Sequence, residues 1–165
     1  MSADFYLGNP NLKKVGTEIQ FTKDQIQEYL KCKEDPVYFA MNYIKIISLD
    51  EGIVPFKMWD FQQELIESFH ENRFNIAKLP RQTGKSTTCV SYLLHYILFN
   101  DNVNVGILAN KLSTARDLLG RLQLAYEQLP LWIQQGIVVY NKGSMELENG
   151  SKILAASTSA SAVRG

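Results

Sequence analysis

The chain has 165 residues, and its 17 Lys and Arg balance its 17 Asp and Glu, so its formal charge is zero. Hydrophobic residues make up 45% and charged residues 21%, which is typical of a globular chain and excludes a disordered one. A protein that holds nucleic acid through bulk charge has a basic excess. Any nucleic-acid contact must therefore come from a local patch or from parts not present in the chain.

Cysteine usage and hydropathy exclude several other classes. Cys32 and Cys89 stand alone, and their spacing fits neither a zinc site nor a disulfide framework. The first ten residues lack the basic stretch and apolar run of a signal peptide. The apolar stretches are far shorter than the ~20 residues of a membrane span. These features predict a cytosolic protein without a membrane partner.

The amino-terminal part is predicted to be helical. Thr22 followed by Gln25 is a capping-box pattern that opens a helix. Pro36 is predicted to start a second helix, which runs through Ile46. A loop or short extended piece follows, and then a third helix over residues 59–72. The apolar residues of this third helix repeat every four positions and are predicted to face a core: Phe61, Leu65 and Phe69.

The pattern changes near Val54, where we place the boundary between a helical lead-in (residues 1–53) and an α/β domain (residues 54–165). Apolar runs predict strands at 74–79, 103–109 and 136–140, with helices over 87–99 and 113–129 between them. Asn149-Gly150 predicts a hairpin turn between two further strands. Strands that alternate with helices predict an α/β fold built on a parallel sheet.

Residues 79–87, LPRQTGKST, connect the first of these strands to a helix. A loop in this position binds phosphates through its backbone N–H groups, and glycine at Gly84 allows close approach. Lys85 is predicted to reach the β- and γ-phosphates of a nucleoside triphosphate, and Ser86 to ligate Mg²⁺ through its hydroxyl. Thr87 adds a hydroxyl near the α-phosphate. The sequence thus predicts a P-loop for ATP and Mg²⁺.

The match to the P-loop pattern is incomplete, because Leu79 stands where the pattern G-x-x-x-x-G-K-[ST] has glycine. The alternative is a surface loop with an incidental lysine at a helix start. Arg81 either leans toward the phosphates or is a solvated loop arginine. The remaining loop residues, Gln82 and Thr83, belong to the predicted phosphate cradle.

Two other segments are candidates for ligand contacts. Phe61 and Gln62 precede the loop strand at a distance where helicase-like ATPases place an aromatic ring and a glutamine against adenine. The alternative assigns Phe61 to the core and Gln62 to a solvated helix face. Asn110, Lys111 and Ser113 follow a predicted strand end, where they face DNA or nucleotide, unless Ser113 is a plain helix N-cap.

Hydrolysis needs a carboxylate for the Mg²⁺ shell and usually a second one to orient water. No apolar run after Lys85 is followed by an Asp-Glu pair. We therefore expect the chain to be the front portion of an ATPase, ending in mid-loop at Gly165, and to be inactive in hydrolysis on its own.

The run PRQTGKS at residues 80–86 resembles the variant P-loop of the large terminase subunit of tailed bacteriophages, of the T-even type. The resemblance extends from about Phe5 to Gly165 and includes PNLKK, the WDFQ region, VGILANK, NKGSMELENGS and the terminal AVRG. It implies a RecA/ASCE-like P-loop ATPase domain. Lys85 and Ser86 would be the Walker A pair, Arg81 the catalytic loop arginine, and Phe61 and Gln62 the adenine-binding element.

The same resemblance implies a motor in the host cell cytoplasm that couples ATP hydrolysis to packaging of double-stranded DNA. Its implied partners are a portal protein and a small terminase subunit, and its implied assembly is an oligomeric ring. A nuclease domain and the Walker B carboxylates of that family have no counterpart in the chain. Two alternatives remain: a helicase-like remodelling ATPase and a non-catalytic nucleotide-binding module.

Overall fold

The computed structural model describes residues 5–48 and 50–158. Within them, no helix is long and apolar enough to cross a membrane. After a short 3-10 turn at Tyr6–Gly8, the helices are α1 (Lys23–Glu34), α2 (Pro36–Tyr43), α3 (Asp60–Glu71), α4 (Lys85–Phe99) and α5 (Leu112–Glu127). The strands are β1 (Lys45–Ser48), β2 (Gly52–Pro55), β3 (Asn104–Ala109), β4 (Ile137–Tyr140), β5 (Ser144–Leu147) and β6 (Lys152–Ser157). The final predicted features, the AVRG run and the mid-loop ending, lie outside the described residues.

The helix starts follow the sequence signals. The Thr22 hydroxyl accepts from the backbone N–H of Gln25 at 3.2 Å, and the Gln25 side chain accepts from the backbone N–H of Thr22 at 3.0 Å. This confirms the predicted capping box. Pro36 opens α2, also as predicted. The expectation that α2 reaches Ile46 is wrong, because β1 pairs antiparallel with β2 from Lys45 onward and takes up those backbone groups.

The larger sheet has the strand order β3-β6-β5-β4. β3 is parallel to β6, with Asn104 opposite Lys152, while β5 is antiparallel to both β4 and β6. The Asn149-Gly150 turn lies between β5 and β6, as predicted. The α/β class is confirmed, but the sheet is mixed rather than parallel, since the short hairpin between β5 and β6 can join only antiparallel strands.

The strand predicted at residues 74–79 does not form. Ile76 is 100% exposed and Phe74 is 82% exposed. A strand exists only where a neighbour takes its backbone hydrogen bonds, and no strand of the described residues pairs with this segment. The apolar run alone was therefore an insufficient signal. Val54, the predicted domain boundary, lies within β2.

The main core lies where α5 packs on α4 and on β3 and β6 of the four-stranded sheet. Its largest fully buried side chains include Leu94, Ile97, Leu119, Tyr126 and Ile137.

On α3 the buried residues are Gln62 and Ile66, whereas Phe61 is 36% exposed and Leu65 and Phe69 are only half-buried. The predicted inward stripe of α3 is therefore displaced by one residue toward its carboxyl end. The cause lies in what the helix packs against, since Gln62 contacts the loop before α4.

A second cluster joins α2 to α4 through aromatic rings. The Phe39 ring lies 5.5 Å from the His95 ring and 5.5 Å from the Phe99 ring, measured between centroids. His95 Nε2 lies 2.9 Å from the Cys32 carbonyl oxygen, and its Nδ1 has no hydrogen-bond partner among the described residues. Burial lowers the pKa of His95 to about 4, so the ring is neutral at neutral pH.

Glu148, which directly follows β5, connects the segment around Lys13 and Gly16 to the four-stranded sheet. Its carboxylate accepts from the backbone N–H groups of Gly136 at 2.6 Å and Gly16 at 3.1 Å, and Lys13 Nζ lies 3.4 Å away. Burial alone would raise the pKa of Glu148, but these hydrogen bonds and the Lys13 charge outweigh it and lower the pKa. The carboxylate form therefore holds this segment in place.

Candidate phosphate-binding site

The loop before α4 is shaped by two left-handed backbone positions. Gln82 has φ +63° and Gly84 has φ +71°. The backbone conformation favours glycine at position 84, and a Cβ there would lie 2.5 Å from the Gln62 side-chain nitrogen and would displace it. Gln82 adopts the same conformation with a side chain, which is uncommon and marks a tightly constrained loop.

The amino terminus of α4 carries no side-chain cap, because its N-cap residue is Gly84. The first backbone hydrogen bond runs from Thr88 N–H to the Gly84 carbonyl, at 3.0 Å. The N–H groups of Lys85, Ser86 and Thr87 come before it and have no acceptor within the helix. Together with the helix dipole they form a site that favours an anion.

Lys85 lies over this site and folds back onto the loop. Its Nζ donates to the carbonyl oxygens of Leu79 at 3.4 Å and Pro80 at 3.3 Å. Both distances are long for a charged donor, so these hydrogen bonds are weak compared with those to a phosphate oxygen. The ammonium group is thus held near the loop without a strong partner.

Gln62 of α3 holds the loop through a hydrogen bond. It is 3% exposed, its side-chain oxygen accepts from Trp59 N–H at 2.9 Å, and its side-chain nitrogen donates to the Thr83 carbonyl at 3.1 Å. The structure therefore brings Gln62 to the loop. The adenine contact predicted for Gln62 stays a prediction, as does that of Phe61, which lies on the more exposed side of α3.

The other predicted loop residues lie at or beside the same helix start. Arg81 is exposed and has neither an ion pair nor a side-chain hydrogen bond with any described residue. The Thr83 hydroxyl donates to the Pro80 carbonyl at 3.0 Å and braces the loop internally. Ser86 and Thr87 are half-buried in the first turn of α4. Ser113, a possible N-cap, lies inside α5, whose N-cap is Lys111.

The bond between Gln62 and Thr83 was missed from the sequence. The two residues are 21 positions apart, and the pattern of α3 placed Phe61 inward in place of Gln62. Gln62 is the third residue of α3, and its side-chain oxygen accepts from the Trp59 N–H as in one half of a capping box. Its second hydrogen bond depends on how α3 meets the loop, which no local pattern records.

A small cavity of about 270 Å³ lies beside Lys85, between residues 74–79 and β3. Its walls are mostly apolar and comprise Leu65, Ala77, Lys85, Ser86, Cys89, Val90, Leu93, Ile107 and Leu118. Burial raises the pKa of the Cys89 thiol, which is therefore protonated and uncharged at neutral pH. Among the described residues that line this wall, Lys85 alone is charged, so the wall presents positive charge toward the loop.

The residues present fit a bound polyphosphate. The uncapped helix start supplies N–H donors, Gly84 allows close approach, and Lys85 supplies one cation. The Ser86 hydroxyl is positioned in the first turn, where a cation bound to the phosphates would find an oxygen ligand.

No protein-family model matches the sequence. Among solved structures, the fold is similar to the crystal structure of the HK97 bacteriophage large terminase, with a TM-score of 0.64 and 16% sequence identity. The similarity covers 81% of this chain and 29% of that chain. The fold is terminase-like.

At 16% identity the likeness describes the fold alone. It supports the predicted similarity to large terminases at the level of architecture. The closer similarity to the T-even type stays a prediction. The chain spans less than a third of the HK97 protein, so that protein's activity as a whole is not transferred by the match.

Proposed function

We propose that residues 80–87 bind the phosphates of ATP, and that the chain is the ATP-binding part of a large terminase that packages viral DNA. The observation that carries the proposal is the uncapped start of α4, with left-handed Gly84 before it and Lys85 above it.

The roles of the loop residues follow from where they lie. The N–H groups of Lys85, Ser86 and Thr87 bind phosphate oxygens, and the Lys85 ammonium exchanges its long bonds to loop carbonyls for shorter ones to phosphate. Ser86 ligates Mg²⁺, which neutralises phosphate charge when bound. Arg81, exposed at the edge of the loop, is proposed to contact the same phosphates.

The packaging role rests on two supports of different kinds. The fold is similar to that of a phage large terminase. The loop sequence PRQTGKS and the segments around it resemble the terminase family. The proposed partners are double-stranded DNA, a portal protein, a small terminase subunit and further copies in a ring, in the host cell cytoplasm.

The phosphate-binding role is tested by titrating the purified chain with Mg²⁺ and a fluorescent ATP analogue to millimolar concentration. We expect saturable binding that Lys85→Ala abolishes or weakens by tenfold or more, since about 1.4 kcal/mol of lost binding energy corresponds to a factor of 10. Lys33→Ala removes the same charge from the exposed end of α1 and is the matched control. Equal binding by the wild type and Lys85→Ala would reject the proposed site.

Hydrolysis separates the proposed motor from its alternatives. Because the chain is expected to be inactive in hydrolysis on its own, ATP turnover is measured on the whole protein of which it is proposed to be a part. The measurement is made with and without linear duplex DNA, and with a tailed duplex whose unwinding can be followed. Turnover stimulated by duplex DNA without unwinding supports the motor, whereas unwinding supports a helicase-like ATPase. Saturable binding by that whole protein without any turnover, with or without DNA, supports a non-catalytic nucleotide-binding module.

A further inference from the structure

A shallow groove runs along the exposed side of α5. One part has a volume of about 770 Å³ and lies between α5 and the turn that joins β4 to β5. The other part, of about 350 Å³, lies between α5, β1 and the first turns of α4, and its wall includes Thr87. Arg121 and Leu124 line both parts, so the groove leads from the turn to the start of the phosphate-loop helix.

The charge of this groove differs from that of the whole chain. Four of its lining residues are basic, namely Lys45, Arg116, Arg121 and Lys142, and one is acidic, Asp117. All four cations are exposed, and none forms an ion pair with a carboxylate within residues 5–48 and 50–158. Because the chain as a whole is neutral, this four-to-one ratio marks a local basic surface.

The basic side chains stand on a fixed framework. Gln123 Nε2 donates to the Asn141 carbonyl at 2.8 Å and fastens the β4–β5 turn to α5. Within that turn, the Asn141 side-chain oxygen accepts from the N–H groups of Gly143 at 2.8 Å and Ser144 at 2.9 Å. Lys142 is therefore presented at a set position beside Arg116 and Arg121.

An exposed glycine in the groove is a second, independent observation. Gly120 lies in the interior of α5, where glycine is a poor helix former. A Cβ at this position would have no atom within 4 Å, so packing does not require glycine. Because Gly120 has no side chain, the helix backbone at this position is open to close approach by a molecule in the groove.

We propose that this groove binds the phosphate backbone of duplex DNA. The inference deepens the proposed function, because it names the surface that holds the DNA, but its charge argument is independent of the phosphate loop. Phosphates are drawn to several cations that have no other partner, and Arg side chains form paired hydrogen bonds with them. The exposed Ser113, near one end of the groove, adds a hydroxyl of the kind that contacts phosphate oxygens.

A duplex fits better than an acidic peptide because the cations are spread along a groove whose floor is open at Gly120. A regular line of phosphates meets such an array at several points. The contacts go to the backbone, so binding is expected to be independent of base sequence and to weaken with salt.

The test measures binding of a fluorescent duplex of about 30 base pairs by anisotropy, from about 50 mM to about 200 mM salt. Four phosphate contacts predict a slope of log K against log salt near −3.6, or roughly a 100-fold loss of affinity over that range. In Arg116→Ala/Arg121→Ala we expect the slope to fall by about 1.8, which leaves roughly a 10-fold loss. The matched control is Lys23→Ala/Lys33→Ala on α1, whose slope should equal the wild type's.

Gly120→Ala gives a variant that keeps every charge. We expect it to fold at least as well as the wild type and to bind DNA more weakly, because its methyl group occupies the groove floor. The circular dichroism spectrum and thermal midpoint of each variant confirm that the fold is retained.

Several results would overturn the proposal. An unchanged salt slope in the arginine variant would do so, as would equal losses in the α1 control. Binding of poly-glutamate in the groove with no binding of DNA would assign the surface to an acidic protein. ATP-analogue binding is measured in parallel. DNA binding that depends on Arg116 and Arg121 in a chain that binds no ATP would support the groove and reject the phosphate loop.

Discussion

The two sides of α4 differ in how completely they are packed. On the side that faces α1 and α2, Phe39 is fully buried among aromatic rings, and the neutral His95 lies within the same cluster. At the amino-terminal end of α4, where the phosphate loop enters, the wall beside Lys85 has a cavity, and Ile76 and Phe74 in the segment before the loop are exposed. One helix therefore joins a closed core to an open site.

The comparison shows that stability and binding are supplied by different parts of the same helix. The closed side buries apolar surface, which is the main favourable term in folding. The open side leaves N–H groups, a cation and apolar residues without strong partners, which costs stability but leaves them available for ligands. Substitutions on the closed side should therefore lower the free energy of unfolding, whereas substitutions on the open side should mainly weaken ligand binding.

The largest expected difference lies between Phe39→Ala and Ile76→Ser. Phe39 is 0% exposed, and a Phe→Ala change in a core costs about 3–5 kcal/mol of unfolding free energy. Ile76 is 100% exposed, so its substitution should stay within about 0.5 kcal/mol. Urea denaturation of both variants measures the difference. A cost for Ile76→Ser as large as that for Phe39→Ala would contradict the assignment of Ile76 to the open side.

The closed side should also be sensitive to acid through His95. Its pKa is about 4 in the folded protein, below the ordinary value of 6.5, so the unfolded chain binds the proton first as pH falls. The stability that His95 contributes is complete above about pH 6.5 and is lost as pH falls toward 4. Between about pH 7 and about pH 5 the loss should be about 2 kcal/mol.

Urea denaturation at the two pH values, compared between the wild type and His95→Gln, isolates this contribution. The variant keeps a hydrogen-bond donor for the Cys32 carbonyl but has no titrating ring. Gln27→Ala on the exposed side of α1 removes no titrating group; it is the control and should keep the wild-type pH dependence. An unchanged pH dependence in His95→Gln would show that His95 is not held neutral by burial.

A smaller effect is expected at Gln62, where the two sides meet. Gln62→Ala leaves the Thr83 carbonyl and the Trp59 N–H without their partner, which should cost about 1 kcal/mol. The freed loop should bind nucleotide roughly fivefold more weakly, by the same energy. Gln63→Ala, at the neighbouring position, should change neither quantity beyond about 0.5 kcal/mol. Equal effects at both positions would contradict a supporting role for Gln62.

Local signals in the sequence predicted much of the fold. The capping box at Thr22, the proline start of α2 and the Asn149-Gly150 turn each depend on a few neighbouring residues, and all are confirmed. The prediction of a strand at residues 74–79 was wrong because pairing depends on distant strands. The buried positions of α3 lie one residue beyond those predicted, because Gln62 donates a hydrogen bond to a loop residue 21 positions away.

The same distinction applies to the sites. The phosphate loop is one continuous segment, so its residues could be named from their order in the sequence. The basic groove combines Lys45, Arg116, Arg121 and Lys142 from three separate elements, and the neutral net charge conceals it. Only the packing of α5 beside β1 and the β4–β5 turn brings these cations together.

The central claim, that the start of α4 binds phosphates, is tested most directly by amide NMR shifts of the ¹⁵N-labelled chain during titration with inorganic triphosphate and Mg²⁺. We expect the largest shifts at the backbone N–H groups of Gly84, Lys85, Ser86 and Thr87, with saturation, and none of comparable size around Phe39. Shifts confined to the basic residues of the α5 groove, with the α4 amides unmoved, would contradict the claim.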